Sequence, residues 1–256
     1  MGRMIKTRTV RYALALFALA FAAVGWARQP DPKALLHRAV NQLRGPAMVA
    51  TYTLRVERPG RSKKYVLRVY TDGDRRALIR VIEPPRDAGQ AFLTLGEDIW
   101  IYNPRLGRVL RLPPSGKNDR FLGSDVSYAD LSGRDLEDDY DVSLREDRGA
   151  ADFYVLVLTP KPRAPTPWGR VEMLLERDNW LLRKIVFYDQ RGAVVKEIVL
   201  RKAVRISNDR YLITDTLVLD RVREGYRTVL TVSDWKVGPV PESCFTRVAL
   251  ERGCRY

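Results

Sequence analysis

From Thr51 to about Trp235, apolar and polar residues alternate with a period of two, in runs separated by turn residues. That period puts successive side chains on opposite faces of a strand, so the chain has to build antiparallel sheet. Tyr52, Leu54 and Val56 alternate with Thr51, Thr53, Arg55 and Glu57. Pro59-Gly60 and Asp72-Gly73 are hairpin signals that separate this run from Lys64–Tyr70 and Ala77–Ile82. Pro84-Pro85 breaks the meander before Ala91–Leu95 and Ile99–Tyr102, and Arg105–Arg111 is a short basic hairpin around Gly107. After an irregular segment, strands are expected over Tyr140–Arg145, Phe153–Thr159, Val171–Glu176, Leu182–Tyr188, Val194–Ile206, Tyr211–Leu219 and Arg227–Trp235. Gly192, Asn208-Asp209 and Glu224-Gly225 mark tight connections, and the prolines at 160, 162, 165 and 167 define an extended loop. The spacing predicts one helix, Pro32–Arg44. Leu35, Leu36, Ala39, Val40 and Leu43 fall on one face of it, and Gly45-Pro46 stops it. The fold class is mainly β (α+β): a strongly curved sheet of about eleven strands with an N-terminal helix.

Residues 1–27 read as a signal peptide. Arg3, Lys6, Arg8 and Arg11 precede the apolar run Tyr12–Val24, and Gly25-Trp26-Ala27 supplies small residues for cleavage. Thirteen apolar residues fall short of the roughly 20 that a spanning helix needs. The expected mature chain is one domain, residues 28–256, in the periplasm. Removing four basic and no acidic residues from a formal +14 leaves +10. Outside the cytoplasm that surplus points to anionic headgroups or acidic partners, and to transient contact with a membrane surface, rather than to nucleic acid, with solvated arginines on outward strand faces as the alternative.

Cys244 and Cys254 are the only cysteines, which in an oxidising compartment suits one disulfide closing a C-terminal loop, with two buried thiols as the alternative. A single histidine, His37, sits off the apolar stripe of its helix, so neither a hydrolytic triad nor a zinc set has support. Gly123-Ser124-Asp125 is not a nucleophile elbow, and the acidic run Asp135–Asp141 lacks the spacing of a calcium loop. No catalytic residue, metal or cofactor is expected.

The stretch Phe121–Leu131, FLGSDVSYADL, breaks the alternation. Ser124 or Asp125 is placed to cap a short helix there. The lead-in Glu83–Pro114 holds a Pro-rich turn, a Gly-x-Ala-Phe-Leu strand, Trp-x-Tyr-x-Pro and a basic hairpin. With Phe121, Gly123, Ser124, Asp125, Tyr128 and Asp130, it resembles the LolA-like family of periplasmic outer-membrane lipoprotein-sorting proteins. The resemblance implies a half-barrel with short lid helices on its concave face, and a non-catalytic carrier. Such a carrier takes the acyl chains of a lipoprotein or lipid from an inner-membrane transporter or exporter toward the outer membrane. An envelope-state sensor or exporter-associated binding module with the same fold is the alternative.

Independently of the resemblance, several strands are apolar on both faces, among them Tyr65-Val66-Leu67 and Ala77-Leu78-Ile79. Either a lid covers the second face or that face lines a cavity. The cleanest alternation nominates Leu54, Val56, Leu67, Val69, Ile79, Val81, Leu93, Leu95, Ile99 and Ile101 as cavity residues, subject to register. The N-terminal reading has a direct check: sequencing of the exported protein should find a mature end near Arg28, and a chain retaining residues 1–24 refutes it.

Overall fold

The computed structural model describes residues 29–132, 136–145, 152–207 and 210–254. The signal peptide expected at 1–27, the turn at Asn208-Asp209 and the start of the acidic run at Asp135 lie outside these. From Pro32 onward the chain clusters as one unit.

Helix α1 spans Pro32–Arg44, as its periodicity requires. Strands β1 (Ala47–Arg58), β2 (Arg61–Asp72), β3 (Arg76–Glu83), β4 (Ala91–Leu95), β5 (Asp98–Asn103) and β6 (Arg108–Arg111) form a first meander. A second runs through β7 (Tyr140–Arg145), β8 (Phe153–Pro160), β9 (Arg170–Glu176), β10 (Leu182–Tyr188), β11 (Val194–Ser207), β12 (Arg210–Asp220) and β13 (Arg227–Val237). Among the described residues the sheet has 13 strands rather than about eleven. The basic hairpin contributes β6 as a strand of its own, pairing Tyr102 with Val109.

The strand order is β6-β5-β4-β3-β2-β1-β13-β12-β11-β10-β9-β8-β7. The first and last strands therefore pair in the middle of the sheet, Leu54 opposite Leu230 and Val56 opposite Thr228. The two open edges, β6 and β7, are consecutive in the chain. Twelve interstrand gaps amount to about 58 Å along the sheet, and the described residues between its edges, 112–132 and 136–139, pack side chains on one face of it. These residues, the crossing segment, carry two short helices, α2 (Tyr128–Leu131) and α3 (Leu136–Asp139).

Register assigns the two faces. Leu54 opposes Tyr65, Leu67 opposes Val81, Ile79 opposes Phe92 and Phe92 opposes Ile101, so these share one face, here called inner. Through Leu230, Val218, Ile198, Ile185, Met173 and Leu156 the same face continues to the other edge. Leu35, Leu36, Ala39 and Val40 of α1 are buried against its β7–β10 part, among Tyr140, Leu156, Leu158 and Met173. The stripe is one residue narrower than its spacing suggests, because Leu43 is 42% exposed.

The outer face of β3–β5 has its own cover. A 3-10 turn, Glu242–Phe245, and helix α4, Arg247–Arg252, place Phe245, Ala249 and Leu250 on Leu78, Ala91 and Leu93. Thr246 caps α4 by accepting from the Ala249 amide at 3.1 Å, and Arg80 Nη2 donates to the Leu250 carbonyl at its far end at 2.7 Å. Cys244 and Cys254 are joined as a disulfide across this segment, with Cα atoms 4.8 Å apart.

Leu36 is 1% exposed, so truncation of its side chain removes a fully packed contact. In urea denaturation, Leu36→Ala should lose about 2–5 kcal/mol, whereas Leu43→Ala should stay within about 0.5 kcal/mol of the parent. Equal losses refute this assignment of the α1 face.

Candidate functional site

The crossing segment folds locally through its own turn chemistry. Leu122 and Gly123 both take left-handed backbone, with φ of 51° and 74°. For leucine that conformation costs on the order of 1–2 kcal/mol. The loop closes through the Phe121 amide, which donates to the Val126 carbonyl at 2.8 Å, and through a bridge between Arg120 and Ser127. Inside it Ser124 is fully buried, its Oγ accepting from the Val126 amide at 3.1 Å. Helix α2 starts at Ser127, not at Ser124 or Asp125. Ser127 and Asp130 form a reciprocal capping box, with the Ser127 amide donating to Asp130 Oδ2 at 2.7 Å.

Asp125 has another role, set by what surrounds it. Its side chain is 2% exposed and that of Arg58 is 7% exposed, with Arg58 Nη1 2.8 Å from Asp125 Oδ2. Arg120 Nη1 reaches the other oxygen at 2.7 Å. Thr228 donates its hydroxyl to Asp125 Oδ2 at 2.7 Å and accepts the Asp125 amide at 2.9 Å. Arg58 Nη2 donates to the Gly123 carbonyl at 2.7 Å, and Arg120 Nη2 to Asp220 at 2.8 Å. The Arg58 guanidinium lies 4.8 Å from the centre of the Tyr226 ring, and that of Arg223 lies 4.5 Å from the same centre. The Asp125 carboxylate thus ties the crossing segment to the ends of β1 and β13, and Arg120 ties it to Asp220 at the end of β12. A second tie follows at Asp130, which pairs with Lys196 of β11. Lys196 is 8% exposed, and its ammonium lies over the Phe187 ring.

Between these ties the segment lowers aromatic side chains onto the inner face. Phe121 is buried edge-on against Phe92, with ring centres 4.9 Å apart, and Tyr128 meets Phe121 at 5.8 Å. Leu122 and Leu131 pack beside them. Burial, with a smaller contribution from Asp119, raises the Tyr128 phenol. Beneath lie Leu54, Val56, Leu67, Val69, Ile79 and Val81, all buried, with Ile101 half-buried at the rim. Ile99 shares their face through its alternation with Ile101 and is buried. Leu93 and Leu95 do not belong here: they point outward under Phe245 and Leu250. Ala91–Leu95 is apolar on both faces, and pairing puts Phe92 inward. The first-half strands are therefore covered by the crossing segment.

The inner face is less covered at its centre, between that segment and α1. Tyr52 of β1, Leu230 and Val232 of β13, Thr216 and Ile213 of β12 and Ile198 of β11 all keep partial exposure. They form an apolar lane across four strands. Tyr52 joins the buried groups on its two sides, those of Leu54 and of Met48, Ala50 and Leu212. Its depth pushes the phenol up to about 12 by desolvation. Sequence reasoning missed this lane, although Tyr52 heads the cleanest alternating run. A separate cleft of about 360 Å³ lies beside α1, lined by His37, Arg38, Gln42, Trp180 and Tyr211 among others. His37 is largely exposed and pairs with Glu137 at 3.0 Å.

Removing one partner of a buried ion pair leaves the other charge uncompensated. Asp125→Ala should cost about 3–5 kcal/mol by chemical denaturation, against about 1 kcal/mol for loss of the cap in Ser127→Ala. Comparable small losses in both variants refute the assignment of Asp125 as the central tie.

A family model described as an uncharacterized protein matches residues 73–252. No curated protein matches the sequence. Among solved structures, an outer membrane lipoprotein-sorting protein domain from Vibrio parahaemolyticus is similar at 24% identity and a TM-score of 0.72. That match covers 86% of this chain and 96% of the other. A DUF1329 family protein from Desulfovibrio piger is 25% identical with a TM-score of 0.73, covering 86% of this chain and 100% of that one. A LolA superfamily protein from Nitrosomonas europaea is 24% identical with a TM-score of 0.70, covering 85% and 98%. The chain belongs to the family of uncharacterized proteins whose model it matches, and its open antiparallel sheet with inner-face covers has the fold of the LolA superfamily.

Proposed function

We propose that this chain is a periplasmic carrier that holds acyl chains of a lipoprotein or lipid against its inner face, without catalysis. Cargo is received from an inner-membrane transporter or exporter and moved toward the outer membrane. The observation that carries this reading is the apolar lane at β1, β13, β12 and β11, continuous with an apolar surface capped by a tied segment. An acyl chain gains about 0.8 kcal/mol per buried CH₂, so a sixteen-carbon chain has on the order of 12 kcal/mol to recover when it leaves a bilayer. A carrier has to offer comparable apolar area. The lane offers part, and displacement of Phe121 and Tyr128 would expose the remainder over Leu54, Leu67 and Ile79. The crossing segment is held by polar ties at Asp125 and Asp130, so apolar cargo competes with its aromatic contacts one face at a time. The likeness to a lipoprotein-sorting domain and a LolA superfamily protein supports the same reading.

The test is displacement of a fluorescent fatty-acyl probe. The wild-type protein should bind saturably. Ile198→Glu and Val232→Glu should weaken binding at least about a hundredfold while remaining folded by circular dichroism, because an unpaired charge in an apolar lane is costly. No saturable binding by the wild-type protein refutes the carrier and favours an envelope sensor.

A further inference from the structure

We propose that the tip of the β5–β6 hairpin is a docking site for an anionic lipid surface. The turn has a defined shape. Asn103 pairs with Arg108, the Asn103 side chain accepts the Arg105 amide at 3.0 Å, and the Leu106 amide donates to the Asn103 carbonyl at 3.2 Å. Gly107, with φ of 58°, closes it. This geometry holds Leu106 at 62% and Leu110 at 58% exposure, the two most exposed leucines among the described residues. Both are interleaved with Arg105, Arg108 and Arg111. Asp98 is the one acidic residue from 98 to 111, so this hairpin carries a formal +2. Arg111 pairs with that aspartate at the base of the hairpin, and Arg105 beside the tip donates to the Arg86 carbonyl.

β6 is an edge of the sheet, and charged residues on an edge strand discourage pairing with other chains. That accounts for Arg108 and Arg111 on the strand. It leaves unexplained two leucines held in water at and beside the turn. A protein that added a strand to this edge would use a four-residue ladder with arginine at both ends. An anionic bilayer uses every group present: leucines enter the acyl boundary while guanidinium groups meet phosphates. Leu110 opposes Ile101 and so projects on the inner-face side. A docked hairpin therefore brings the rim of that face to the lipid. This contact is independent of acyl carriage and stands or falls separately from it.

The measurement is co-sedimentation with phosphatidylcholine vesicles, with and without one-third phosphatidylglycerol. The protein is used as the cell processes it, its N-terminus identified by mass spectrometry and shared by every variant. Wild-type protein should sediment with the anionic vesicles and be released by salt. L106S/L110S and R105Q/R108Q should each lower the partition coefficient about tenfold. V222S, which alters an equally exposed apolar residue elsewhere, should leave it unchanged. An L106W variant should shift its emission to the blue on anionic vesicles alone. Absence of wild-type binding, equal binding to both vesicle types, or hairpin variants that sediment like wild type would each overturn the proposal.

Discussion

The pairing of β1 with β13 is the constraint from which the rest follows. It places the chain's first and last strands at the centre of the sheet and its two middle strands, β6 and β7, at opposite edges. The described parts of the connection between those edges pack on one face. They cover the inner face, and the cover must be held down. Asp125 does this from within the segment, because Arg58 of β1 and Thr228 of β13 converge on it from the sheet ends, while Arg120 of the segment itself bonds its other oxygen and reaches Asp220 of β12. The same central junction that sets the two edges apart thus supplies the segment's tether.

A buried carboxylate with two guanidinium partners is a poor source of net stability compared with a well-packed apolar cluster. Its value is geometric. An apolar cover alone would slide over an apolar sheet, since dispersion contacts have little directionality. The ties at Asp125 and Asp130 give the crossing segment one register, with Phe121 beside Phe92 and Tyr128 above both. The central lane lies between α1 and the segment, each fixed to its own part of the sheet, and keeps partial exposure. Gln42 reinforces the first of these by bonding both the Trp180 carbonyl and the Leu182 amide.

Most strands were legible because alternation and turn residues agree. Pro59-Gly60 and Gly192 mark the connections they suggest, and α1 ends at Arg44 as its glycine requires. Faces were legible only where alternation was clean. Leu54, Leu67 and Ile79 share the inner face, whereas Leu93 and Leu95 could not be assigned within Ala91–Leu95, where both faces are apolar. The role of Asp125 was hidden for a different reason. Its partners Arg58 and Thr228 lie 67 and 103 positions away, and no local pattern announces a long-range ion pair. The lane was hidden too, since Leu230 and Ile198 enter it only through the β1–β13 junction.

That junction also orders events in time. A chain that emerges N-terminus first can pair β1 with β2 at once, through a two-residue turn. The other side of β1 waits for β13, nearly the whole chain later. Until then the hydrogen-bonding edge of β1 and the side chains of Leu54 and Val56 have no second neighbour. Loop-closure entropy makes so distant a pairing slow. That pairing has the longest sequence separation in the sheet, whereas the pairings within each half are between strands adjacent in the chain. The lane lies on that seam, and its facing side chains, Tyr52 and Val232, come from opposite ends of the sheet-forming chain.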